Sequence, residues 1–213
     1  MEPSFKCERY SQYEKIHDLE TPVYTFNPKR MQPYPFGFEP TFHRYRLDEP
    51  KKLKKPSKIF VVSMGDLFGD WVPDEWVGEV LKACQAAPQH QYLFLTKNPY
   101  RYGEFKFPKN CWCGTTITCM KDILKALPVF KKPNHFISLE PLLDNVDFNV
   151  FEGGYSGLGW LIIGAQTGPG AVPPKPEWVQ NIIDQARAAG VPIFLKDNLN
   201  WPEKIQEWPG GLK

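Results

Sequence analysis

The stretch HFISLEPLL, residues 135–143, decides how the rest of the chain is read. Its opening is a short apolar-rich run of the length of a buried parallel strand, yet it closes on the carboxylate of Glu140 and then on a proline. Two other apolar runs close in the same manner, YLFLTKNP on Lys97 and PIFLKDNL on Lys196. Three charges at three strand-like ends pose one problem and call for one answer.

β-Branched or aromatic runs recur from residue 58 on. They are KIFVVSM (58–64), QYLFLTK (91–97), CWCGTTIT (111–118), HFISLE (135–140), WLIIGAQ (160–166) and PIFLK (192–196), six candidate strands. Segments of helical period lie between them. In VPDEWVGEVLKACQAAPQ, Pro73 and Asp74 open a helix and Trp76, Val77, Val80, Leu81 and Cys84 recur at helical spacing. PKPEWVQNIIDQARAAGV opens on Pro176 and Glu177, turns Trp178, Val179, Ile182, Ile183 and Ala186 inward, and stops at Gly190. MKDILKALPVF is a shorter helix. Such alternation predicts an α/β fold of repeated βα units around a parallel sheet over residues 58–200.

The first 57 residues differ in kind, being rich in proline and carrying the basic stretch RYRLDEPKKLKKPSK near their end. EPTFHRYRL is a candidate strand and residues 5–19 a candidate helix. WPEKIQEWPGGLK, residues 201–213, reads as an irregular tail docked by Trp201 and Trp208. The simplest division of 213 residues is one domain, long enough to bury roughly 70% of its unfolded surface. A net charge of +2 selects neither a nucleic-acid binder nor a small-molecule enzyme. Five cysteines and an opening MEPSFKCERY without an apolar leader point to a reducing, cytoplasmic setting. No run approaches the roughly 18 apolar residues of a membrane span.

In a barrel of parallel strands the inside is packed with apolar side chains, and the C-terminal strand ends form the working mouth. The polar residues fall there: Ser63 and Asp66, Thr96 and Lys97, Thr116 and Thr118, Glu140, Gln166 and Thr167, Lys196 and Asp197. Charges sharing a mouth should pair with each other, with water or with a ligand, and Glu140 with Lys97 or Lys196 is the obvious pairing. GAQTGPG (164–170) places glycines directly after a strand, where backbone amides could approach an anionic or adenosyl ligand, although a wide turn explains it as well. Cys111 and Cys113 share one side of their strand, with Cys119 beyond its end; the spacing is not that of a zinc site, and packing as small apolar residues accounts for them, so no metal ligand is assigned.

The blocks VVSMGDLFGDWVPDEW, LFLTKNPYRY, CWCGTT, ISLEPLL, WLIIGAQTGPGAVPPKPEWV and AAGVPIFLKD, in that order, resemble those of the phage-type radical-SAM-like proteins, an uncharacterised family of phage and prophage genomes. The resemblance implies a partial (β/α) barrel, S-adenosylmethionine and a [4Fe-4S] cluster. Three closely spaced cysteines near the N-terminus usually hold that cluster; here only Cys7 lies in the region. Either Met1 is an internal methionine and the cysteine loop lies upstream, or this member has shed the cluster. Where the family has Gly-Gly-Glu-Ser-Gly, this chain has Gly164-Ala165-Gln166-Thr167-Gly168.

The expectation is a radical-SAM-related protein of unknown substrate, an enzyme or a fragment of one. Glu140, Lys97 and Lys196 are its candidate catalytic residues, and Ser63, Asp66, Gly164, Gln166, Thr167 and Gly168 its cofactor contacts. Two rivals remain. One is a non-catalytic phage accessory protein that binds nucleic acid or protein through residues 44–58. The other is a cluster-free barrel enzyme handling a phosphate.

Overall fold

A computed structural model describes residues 15–25 and 30–212. Cys7, Met1 and most of the candidate helix at 5–19 lie outside the described residues. The part of that helix that is described forms a strand instead: β1 (His17–Leu19) pairs in parallel with β2 (Thr41–His43), the strand expected from EPTFHRYRL. Phe42 of β2 stacks on Trp76 at 5.0 Å between ring centres, which joins this small sheet to the main core. A single-turn helix, α1 (Glu49–Lys52), follows.

The main sheet holds six strands, all parallel: β3 (Lys58–Phe60), β4 (Gln91–Thr96), β5 (Cys111–Thr116), β6 (His135–Leu139), β7 (Leu161–Ile163) and β8 (Ile193–Leu195). Their spatial order is their chain order, and the sheet curls into a half-barrel. Each strand falls where a run was read, but shorter. The first shows why: Val62 adopts φ of +54°, a left-handed conformation that a β-branched residue rarely takes, so the strand ends at Phe60 and turns away.

Two long helices cover the outside, α2 (Asp74–Ala86) and α4 (Pro176–Ala188); the short α3 (Ala126–Phe130) precedes β6, and 3₁₀ turns serve the other crossovers. Helix α2 buries the five residues expected of it. Helix α4 buries Val179, Ile182, Ile183 and Ala186, but Trp178 stays half-buried at its first turn, under the ammonium of Lys175 at 5.1 Å. Gly190, at φ of +70°, follows the helix end.

Alternate residues of each strand serve two cores. Tyr92, Phe94, Ile137, Leu139, Leu161 and Ile193 face the helices, and Cys111 and Cys113 lie with them, as small apolar residues would. On the concave side Leu93, Trp112, Phe136 and Trp160 form a smaller core closed from below by Trp208 and Leu212. The tail is more regular than expected. It runs antiparallel to β8, with Leu195 N–H donating to Ile205 O and Glu207 N–H to Ile193 O, so the β8 edge is covered. Trp208 enters the concave core and Trp201 packs on the outer one.

Candidate functional site

Sheet register decides which side chains reach the concave mouth. Pairing aligns Thr116 with Ser138 and Leu139 with Ile163 and thence Leu195, so the next residues on β6, β7 and β8, namely Glu140, Gly164 and Lys196, arrive together at the rim. Lys196 Nζ donates to both oxygens of Glu140, each at 2.7 Å. The predicted pairing is therefore Glu140 with Lys196, not with Lys97. Gly164 makes it possible. A Cβ at 164 would sit 2.7 Å from Glu140 Oε1, so only glycine leaves the carboxylate its seat. Side-chain exposures of 26% for Glu140 and 44% for Lys196 leave the pair open to solvent and ligand.

The loop after β7 is held from the side. Asn198 accepts from Ala165 N–H at 3.2 Å and donates to Ala165 O at 3.0 Å, fastening this loop to the turn after β8. Gln166 takes the Val172 N–H at 3.4 Å, and Gln166, Thr167 and Gly168 are exposed. Asp197 accepts from Gln206 Nε2 and so belongs to the tail contact.

A second group gathers at the ends of β3 and β4. Asp66 accepts the Phe68 N–H through Oδ1 and the Lys97 N–H through Oδ2, each at 3.0 Å, joining the two strand ends. Asn98 donates to Phe68 O and Asp70 Oδ1. Arg101, 3% exposed, donates to Gly69 O, Val72 O and Asp74 Oδ1. Three polar side chains thus fix the loop 66–74, which borders a cleft of about 400 Å³ together with Lys97 and Thr116. Ser63 stands apart in the exposed turn before it. Thr118, at the end of the third run, donates to Asp122 Oδ2, and Lys125 beside the same carboxylate holds its pKa below the ordinary value. Sequence reading missed Asn98, Arg101 and Asn198, because an amide or guanidinium that bridges distant loops leaves no periodic trace.

A larger cleft, about 480 Å³, opens below β8 beside Arg187 and Trp208. Its charges are already matched, Arg187 by Glu203 and the Glu207 carboxylate by the Ile193 N–H, which makes it the poorer candidate.

The described cysteines do not suit an iron–sulfur cluster. Among the described residues no group of three or more histidine, cysteine or acidic side chains could hold a metal ion. Cys84, Cys111 and Cys113 are buried. Burial pushes the Cys113 thiol up to about 12, and a hydrogen bond with Cys111, then burial, raises Cys84, whereas the metal-binding form is the thiolate. Nor is the basic stretch wholly free: Arg44 pairs with Asp18 and Glu79, Arg46 with Glu49 and Lys51 with Asp48. No helix among the described residues is long and apolar enough to cross a membrane.

Residues 6–208 match the model of a family described as a protein of unknown function (DUF5131). The chain belongs to that family. No curated protein and no solved structure matches it.

Proposed function

We propose that this half-barrel is that of a phage-type enzyme related to the radical S-adenosylmethionine proteins. Its rim receives the amino-acid end of an S-adenosylmethionine-type ligand at Glu140 and Lys196. The observation that carries this reading is the paired, partly exposed carboxylate and ammonium at the ends of β6 and β8. An α-amino acid presents the same two charges in mirror order, so each partner can exchange the other for the ligand: Glu140 receives the α-ammonium and Lys196 the α-carboxylate. The exchange costs little, because an exposed ion pair contributes only about 0–1 kcal/mol. Gln166, Thr167 and Gly168, exposed a few residues after Gly164, are the further contacts of this ligand in the reading. The described thiols offer no seat for an iron–sulfur cluster.

Calorimetric titration with S-adenosylhomocysteine and with methionine tests the reading. Binding should weaken about tenfold or more, or about 1.4 kcal/mol, in Glu140→Gln and in Lys196→Ala, each of which removes one charged contact. A silent wild-type titration, or wild-type affinity retained in both variants, refutes it.

A further inference from the structure

The cleft between the loop after β3 and the end of β4 lies on the same rim but uses none of the groups of the Glu140–Lys196 site. It is a built feature. Asp66, Asn98 and Arg101 spend their hydrogen bonds on holding its loop wall, and a buried arginine bound to two carbonyls and a carboxylate is a costly way to fix a loop that only covers a core. Gly69 lets the half-buried indole of Trp71 lie against the backbone: a Cβ there would meet the indole ring at 2.4 Å. At about 400 Å³ the cleft falls within the range of small-molecule sites.

Its chemistry narrows the ligand. Asp66, Asp70 and Lys97 leave the cleft with one net negative charge, which disfavours polyphosphates. The Lys97 ammonium has no hydrogen bond or ion pair among the described residues. Asp70, exposed, is engaged through Oδ1 by Asn98 and keeps its other oxygen as an acceptor. An ammonium donor and a carboxylate acceptor lining one cleft, with an indole and Leu95 at its walls, suit a planar ring whose carbonyl stands next to N–H donors.

We propose that this cleft is a second binding site of the rim, taking a guanine-type base presented as an uncharged nucleoside. Asp70 receives the ring N–H and exocyclic amino hydrogens, Lys97 donates to the neighbouring carbonyl oxygen, and Trp71 packs against the ring.

Titration of the full chain with guanosine, adenosine, uridine and cytidine tests the assignment. Guanosine should bind tightest, and Asp70→Asn and Lys97→Ala should each weaken it about tenfold or more. Both side chains are exposed, so both variants should keep the wild-type circular dichroism and melting temperature. Glu140→Gln should leave guanosine binding unchanged while it weakens S-adenosylhomocysteine, so the two sites fail or stand separately. Silence with all four nucleosides overturns the proposal. So does adenosine bound as tightly as guanosine, or guanosine bound equally by wild type, Asp70→Asn and Lys97→Ala.

Discussion

Gly164 is the residue on which the geometry of the rim turns. Gly164→Ala would set a methyl group 2.7 Å from Glu140 Oε1 and force the carboxylate off Lys196. The expected stability loss in urea unfolding is small, about 0–1 kcal/mol, because the displaced atoms belong to the end of a partly exposed, flexible side chain and the pair they leave is exposed. S-adenosylhomocysteine affinity should fall as it does in Glu140→Gln. Unchanged affinity would mean that the carboxylate does not need this seat. The sequence marked Glu140, Lys196 and Gly164 because a charge or a glycine at the end of an apolar run is conspicuous. It could not choose between Lys97 and Lys196 as the partner, since that choice rests on how far the sheet curls between β4 and β8. Asn198 was invisible for another reason. Its two hydrogen bonds cross to Ala165, a contact between loops that no local pattern encodes.

At the scale of elements, the loop 66–74 is the part whose order depends on side chains more than on backbone pairing. Arg101→Leu would take the donor from the Val72 carbonyl and leave the Gly69 carbonyl with the Val72 N–H alone. A stability loss of about 1–3 kcal/mol is expected by urea unfolding, the cost of one buried polar group left unpaired. Guanosine binding should weaken with it, while the Glu140–Lys196 site keeps its affinity; loss at both sites alike would show that Arg101 supports the whole rim. Helices α2 and α4 were legible because apolar residues at helical spacing leave little choice. The strand read over 58–64 was legible only in part. Val61 and Val62 favour extended structure by propensity, whereas the exposed Val62 is left-handed and its carbonyl closes a turn with the Gly65 N–H.

The molecule as a whole carries a net charge of +2, and its basic segment is partly neutralised from within. Lys52, Lys54 and Lys55 remain exposed with neither ion pair nor ring partner among the described residues, whereas Lys58 lies over the Trp208 ring at 4.0 Å. Three phosphate contacts would give a slope of log affinity against log salt of about −3 on duplex DNA. Binding should be no steeper than that in an anisotropy titration, and should vanish when the three lysines are changed to glutamine. A much steeper slope would restore the nucleic-acid accessory reading, because it would require a cationic face beyond these three. The half-barrel itself was readable from six runs in order, but not the covering of β8 by the tail, which depends on backbone pairing with a segment that lacks strand-like composition.

The order of the six strands bears on how the chain is made. β3 to β8 lie side by side in the order in which a ribosome delivers them, so each strand emerging from the exit tunnel meets its predecessor as a ready template. No early strand has to keep a vacant place for a late one, and the sheet can be assembled during synthesis one neighbour at a time.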